Sequence, residues 1–332
     1  MHNRSQCVTI DHCFSNVCDV ISGVPQGSVL GPILFLIFIN DIESVCCGSS
    51  KVKLFADDAK LYTRVDLNIP SVSLQQSLDR LSTWAETWQL TINIKKCSVT
   101  SIGNKPGQSI NCYFINGNIL PYSSLTPDLG VTISDDMSFH VHINNIAAKA
   151  FQRISTFYRG FTSRNLKLLC KAFITYIKSL VEYNSIISNP FHIYLIDLLE
   201  SVQRKFTKRV HSLSMLPYTE RLRKLKLEPL ELRRLKFDLI NYFKILNSLS
   251  PLDPKSYFTI YKPLPSSRSA IPYLQKPHKA CNKLLSSFFF RNVDAWNYLS
   301  VELRSLSELS KFKTALKTVD LSIFLKGNAI RI

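Results

Sequence analysis

The sequence predicts an α+β protein in which a strand-bearing first part is followed by an all-helical second part. Three observations predict it. Short β-rich runs punctuated by turn residues fill the first 135 positions, apolar residues at three- and four-residue spacing fill most of the rest, and the charge changes along the chain. Residues 1–150 carry ten Lys and Arg against twelve Asp and Glu, whereas residues 151–332 carry thirty-one against twelve. With 332 residues, 45% of them hydrophobic, the chain can bury a sizeable core in about two domains.

Residues 1–22 alternate loosely and suggest a strand or two ending near Val20. Gly23, Pro25, Gly27 and Gly31 punctuate a turn that leads into an apolar helix over residues 28–45, hydrophobic on all sides and so expected to be buried. Residues 51–55 and 59–65 flank Ala56, Asp57 and Asp58 and read as a β-hairpin with two carboxylates at its tip. In residues 70–90, Leu74, Leu78, Leu81, Ala85 and Trp88 form one helical stripe. Residues 98–102 and 129–133 read as strands, and Asn116-Gly117 between apolar runs is a strong hairpin signal. Phe139, Ile143, Ile146, Ala147, Ala150 and Ile154 open a helical region that continues through residues 166–187, 194–213, 218–225 and 231–249. Residues 251–287, rich in Pro, Ser, Lys and Arg, read as a loosely ordered linker before short closing helices. The organisation expected is therefore 1–135, 136–250, 251–287 and 288–332.

Composition narrows the function. The net charge of +17 sits in the second part and favours a polyanionic partner, since Lys and Arg release counterions when they neutralise phosphates. Lys205, Lys208, Arg209, Arg221, Arg223, Lys224, Arg233 and Arg234, interleaved with Phe206 and Tyr218, are the candidates; a solvated helical face is the plain alternative. The nine Cys show neither CxxC nor zinc-ligand spacing, which suggests free thiols in a reducing compartment. No signal-peptide core opens the chain, and the apolar run at residues 29–39 is short of the roughly 20 residues of a membrane span. An intracellular protein, nuclear or cytoplasmic, is expected.

Asp57 and Asp58 are the chemical centre of this reading. Two adjacent carboxylates at a tight hairpin tip repel each other, and hard divalent cations with oxygen ligands offset that repulsion. In two-metal phosphoryl transfer such carboxylates hold ions about 3.5–4 Å apart, on the attacking and leaving oxygens. Leu54, Phe55 and Leu61 are expected to anchor the pair. Taken alone, an Asp-Asp pair is more often an ordinary acidic turn.

It does not stand alone. GVPQGSVLGPILFLIFIND (residues 23–41) and KLFADDAKLY (53–62) resemble the motif B and motif C blocks of reverse transcriptases of non-LTR retrotransposons. LQQSLDRLSTWAETWQLTINIKKCSV (74–99) is similar to their motif D region, and LGVTISDDMSFHVHI (129–143) to the segment that closes the palm and enters the thumb. Residues 180–190, 198–210, 232–247 and 288–317 resemble the helical C-terminal part of jockey-like elements.

The resemblance implies a partial right-hand palm followed by a helical thumb and a C-terminal extension, and an RNA-directed DNA polymerase using Mg²⁺ or Mn²⁺. Its partners would be an RNA template, a DNA primer and deoxynucleoside triphosphates, with no membrane. It implies that Asp57 binds metal with Asp58 assisting, and that Gln26 and Gly27 lie under the incoming nucleotide and template base, with Phe55 beside the substrate. Lys96 would stand near the pyrophosphate, either giving a proton or offsetting charge, and Leu129, Gly130 and Val131 would support the primer end. Two departures stand out. Thr126, Pro127 and Asp128 replace a basic residue usual before the Leu-Gly-Val, and residues 1–22 do not match the family's motif A, since Asp11 and Asp19 lack its flanking pattern. The chain alone is therefore expected to be weakly active or inactive, to expose a sheet edge and apolar surface, and to depend on a polymerase part supplied by another chain. The alternative expectation is a non-catalytic nucleic-acid-binding remnant working through its basic helical half.

Overall fold

A computed structural model describes residues 4–21, 23–24, 27–65, 71–103, 111–163, 165–261 and 273–328. It is a mixed helix-and-strand structure that divides into two compact units, Met1–Ser124 and Leu125–Ile332.

The first unit opens on two nested antiparallel pairs. β1 (Arg4–Gln6) pairs with β4 (Cys18–Val20), and β2 (Thr9–Ile10) with β3 (Cys13–Phe14). Helix α1 (Leu30–Ile39) follows and tightens into a 3₁₀ turn over Asn40–Val45. The Ser28 hydroxyl accepts from the Gly31 amide at 2.9 Å, and Pro32 lies in the first turn, where a missing N–H removes no helical bond. β5 (Lys51–Phe55) and β6 (Asp58–Tyr62) form the expected hairpin. α2 (Val72–Thr87) is capped by the Ser71 side chain, which accepts from the Leu74 amide. β7 (Phe114–Ile115) and β8 (Asn118–Ile119) close a second hairpin on Asn116 and Gly117, both with positive φ, as an Asn-Gly turn requires. Residues 98–102 form no strand, only a parallel bridge from Val99 to Tyr122.

The core of this unit is small. Ile39, Ile42, Val45 and Leu81 make one cluster, and Leu78, Tyr113, Ile115 and Leu120 another; Leu61 of β6 packs against both. α1 is not buried on all sides as its composition suggests. Its N-terminal and outer residues Val29, Leu30, Ile33, Leu36 and Ile37 are 50–87% exposed, because nothing among the described residues covers that side. Such a patch favours association. Ile33→Gln with Ile37→Glu is expected to lower self-association in light scattering and leave helical content unchanged, since neither side chain supports the core.

The second unit begins with a hairpin, β9 (Leu125–Asp128) and β10 (Val131–Ser134). Helix α3 (His140–Gly160) buries the predicted stripe of Ile143, Ile146, Ala147, Ala150 and Ile154. α4 (Leu166–Ala172) widens into a π turn over Phe173–Lys178 and resumes as α5 (Ser179–Glu182). α6 (Ile193–Lys208), α7 (Tyr218–Leu225) and α8 (Leu230–Leu246) complete the first helical core, built on Phe173, Ile177, Leu199, Val202 and Phe206.

Within residues 251–287, expected as a linker, the described residues carry ordered elements. They contribute α9 (Pro254–Tyr257), the pair β11 (Thr259–Tyr261) and β12 (Tyr273–Gln275), and α10 (Asn282–Leu285). Leu274 is buried, and the Asn297 side chain accepts from its amide at 3.0 Å and donates to its carbonyl at 2.8 Å. That amide satisfies a strand edge as a neighbouring strand would, which residue composition does not disclose. α11 (Phe288–Arg291), α12 (Val293–Tyr298), α13 (Val301–Arg304) and α14 (Leu309–Leu316) pack a second core with α8 around Tyr242, Phe243, Trp296 and Phe312.

Beyond α14 the chain returns to the helices. The amides of Lys326 and Gly327 donate to the Glu231 carboxylate at 2.7 and 3.0 Å. Asn328 donates to Asp197 through its amide and its side chain, both at 2.9 Å. A Cβ at Gly327 would lie 2.9 Å from Glu231 and from Ile196, so only glycine admits this approach.

Candidate active site and nucleic-acid interface

The β5–β6 register pairs Phe55 with Asp58 and leaves Ala56 and Asp57 as the turn. Ala56 has φ of 52°, a left-handed conformation that strains a residue with a Cβ. The tight turn sets Asp57 at the tip and Asp58 at the first position of β6, both exposed. Neither carboxylate has a side-chain partner among the described residues. The anchoring differs from expectation: Leu61 is packed, but Phe55 is 62% exposed and Leu54 is exposed too. A two-stranded hairpin offers only one face to its own unit, and here that face is held through β6.

Among the described residues no group of three or more His, Cys, Asp or Glu side chains comes together as a metal cage. Two exposed carboxylates do fit one class of ion. Mg²⁺ keeps several waters and is commonly held by one or two carboxylates together with substrate phosphates. Asp57 and Asp58 would hold it.

Of the other candidates in this unit, Gly27 stands in the turn before α1 with φ of 76°, whereas Gln26 lies outside the described residues. Lys96 is exposed on a 3₁₀ turn, Ile94–Lys96. Past the end of α1, the Asp41 carboxylate accepts from the Trp84 indole at 3.0 Å.

In the second unit Leu129 and Gly130 form the two-residue turn of the β9–β10 hairpin. Farther along β10, the Thr132 amide donates to His142 Nδ1 at 3.3 Å. Burial, then Lys149 and Arg234, push the His142 pKa below its usual 6.5. The unfolded chain therefore binds a proton that the folded chain resists, so stability is present above pH 6.5 and falls as the pH drops toward the depressed folded value. Thermal melts are expected to lose midpoint over that interval, and His142→Gln, which does not titrate, is expected to lose that slope.

The basic residues separate into two groups. Arg221, Arg233 and Arg234 are built into the fold and have little left for a phosphate. Arg221 is buried, donates to the Arg204 carbonyl at 3.2 Å and stacks on Tyr218. Arg233 forms an ion pair with Glu182, reinforced at 3.8 Å by Glu228. Arg234 is buried, donates to the Val181 carbonyl at 2.5 Å, and has its pKa lowered by burial to about 10. Charge counted along the sequence does not reveal such internal partners.

Lys205, Lys208, Arg209, Arg223 and Lys224 are exposed. Arg223 pairs with Glu220 only at 3.7 Å on the surface, a weak tie. Lys205 Nζ lies 4.7 Å over the Phe151 ring, and the Arg209 guanidinium 5.0 Å over Tyr158, so α6 and the residue that caps it present two cations against α3. The α3 face carries an open groove of about 480 Å³ lined by Phe151, Gln152, Ser155, Thr156 and Arg159. Donors, a cation and an aromatic ring in one open groove suit a sugar-phosphate backbone. These α3 residues were not among the sequence candidates. Their signal is the polar spacing of Lys149, Gln152, Arg153, Thr156 and Arg159 opposite the apolar stripe.

No helix among the described residues is long and apolar enough to cross a membrane. Residues 5–157 match the family model for reverse transcriptase (RNA-dependent DNA polymerase). The chain is 30% identical over 179 residues to the RNA-directed DNA polymerase from mobile element jockey of Drosophila melanogaster, covering 52% of this chain and 19% of that protein. It is 31% identical over 173 residues to the jockey polymerase of Drosophila funebris, covering 49% and 18%. It is also 27% identical over 188 residues to the probable RNA-directed DNA polymerase from transposon X-element of Drosophila melanogaster, covering 55% and 20%. The matches thus span about a fifth of the length of these curated relatives. No solved structure matches the chain.

Proposed function

We propose that this chain, which carries a reverse transcriptase domain over residues 5–157 and has jockey-like RNA-directed DNA polymerases as homologues, is part of an enzyme that copies RNA into DNA. The observation that carries the proposal is the two-carboxylate tip of the β5–β6 hairpin lying inside the matched segment. The substrates are an RNA template, a DNA primer end and deoxynucleoside triphosphates.

In this reading residues 1–135, the β9–β10 hairpin included, are palm and the helices from α3 onward are thumb and extension. Asp57 and Asp58 hold divalent ions, which supply charge stabilisation for nucleotidyl transfer. Gly27, with no Cβ to intrude, lets the backbone approach the nucleotide and template base, and Gln26 and Phe55 border the same substrate. Lys96 offsets charge on the leaving pyrophosphate or protonates it. Leu129 and Gly130 support the primer end. Lys205, Lys208, Arg209, Arg223 and Lys224 contact phosphates, a use supported by their exposure and by the adjoining α3 groove.

The test is RNA-templated primer extension by the chain and by a jockey polymerase whose matching segment is exchanged for this one. Mg²⁺-dependent incorporation by the exchange enzyme is the expected result, whether or not the chain alone is active. An exchange enzyme that folds and binds the hybrid but incorporates nothing would overturn the reading.

A further inference from the structure

We propose that Tyr183 is a positioning residue that holds the Leu129–Gly130 turn in the shape that meets the primer end; the inference rests on the primer-end reading of that turn given above. The β9–β10 register pairs Val131 with Asp128, so these two residues alone make the reversal. Both are left-handed, with φ of 46° at Leu129 and 82° at Gly130. Glycine adopts such a φ freely, but a leucine there is strained. A Leu-Gly turn without support would therefore sample other shapes.

Tyr183, the residue that ends α5, supplies the support. Its hydroxyl donates to the Leu129 carbonyl at 2.8 Å. Its ring lies against Gly130, where an added Cβ would meet Cε1 at 3.2 Å. One side chain thus fixes the strained carbonyl and fills the space beside the glycine.

The setting argues for more than packing. Tyr183 is 53% exposed and Leu129 is 38% exposed, so the contact forms a surface knob and not part of a core. Strain held at an exposed tip by a dedicated partner is typical of a shape kept for contact with something else. His142 holds the body of the same hairpin through Thr132, which leaves the tip as the part that depends on Tyr183.

The experiment uses the full chain and an RNA template–DNA primer hybrid with a photoreactive 3′-terminal nucleotide. Crosslinks are mapped to peptides, and total affinity is read by fluorescence anisotropy. The wild type is expected to crosslink at residues 129–131. Tyr183→Phe is expected to lower that yield about fivefold, the loss anticipated for one hydrogen bond, with total affinity unchanged and the melting midpoint lowered by no more than the few degrees that one bond is worth. If the wild type crosslinks there and Tyr183→Phe crosslinks equally well, the inference fails and the primer-end reading stands. A bound wild-type complex with no crosslink at 129–131 would remove the primer-end reading, and the inference with it. A fall in total affinity matching the fall in yield, or a loss of midpoint well beyond that of one hydrogen bond, would make Tyr183 a structural residue and also overturn the proposal.

Discussion

Asp57→Asn is expected to lower RNA-templated incorporation by the exchange enzyme about 10³-fold or more, with binding of the hybrid unchanged. The substitution keeps the size of the side chain and removes its charge, so the hairpin should fold as before. What is lost is the attraction for a divalent ion at the tip, an effect of several kcal/mol on the transition state. The tip is built for placement as well as charge. Ala56 is held left-handed so that Asp57 follows in a two-residue turn. Asp57→Glu keeps the charge but moves it outward by one methylene, and a displacement of about 1 Å at a reacting centre can cost about 10²-fold. The order expected is therefore wild type, then Asp57→Glu, then Asp57→Asn, measured as initial rates at saturating Mg²⁺. Equal rates for all three would remove Asp57 from the chemistry.

The largest expected effect on stability lies in the second unit, at Asp238. This carboxylate is 1% exposed and receives both Nε and Nη2 of Arg291 at 2.7 Å, with Asn292 donating at 2.5 Å. Arg291 continues to the carbonyls of Ile186 and Ser185 at 2.7 and 3.4 Å. One guanidinium thus ties α8, the turns after α5 and the α11–α12 junction. Asp238→Ala leaves that guanidinium buried without its counter-charge, which costs about 3–5 kcal/mol. For a unit of this size each kcal/mol moves the melting midpoint by about 2–4 °C, so a fall of about 10 °C is expected by calorimetry. Asp238→Leu combined with Arg291→Met should recover much of it, because a buried ion pair exchanged for apolar packing is often close to neutral. A double variant as unstable as Asp238→Ala would show that the two residues matter separately.

Much of this fold was legible in the sequence because it is written in local pattern. The Asn116-Gly117 hairpin, the Asp57–Asp58 tip and the buried stripe of α3 each follow from a spacing or a turn residue within a few positions. What was not legible depends on partners distant in sequence. The apolar run of α1 read as a buried helix, yet burial needs a covering element, which periodicity does not reveal. Arg233 and Arg234 read as ligands for phosphate, yet Glu182 and the Val181 carbonyl, about 50 positions earlier, already engage them. At the candidate site the tip was readable, but its support was not: Phe55 and Leu54 have the composition of anchors, while Leu61 alone of the three is packed.

The latch at Lys326–Asn328 has a consequence for how the chain is made. Glu231 and Asp197 wait for amides that follow them by 95 and 131 positions. A ribosome adds about 5–20 residues per second, so α6 is synthesised on the order of 10 s before its last contact can form. During that interval the carboxylate of Asp197 stays solvated and the apolar faces of α8 lack the α12 and α14 residues that later cover them. The helical unit therefore completes its folding after translation has passed residue 328, and a nascent chain stalled earlier should be open to proteases and chaperones across α8.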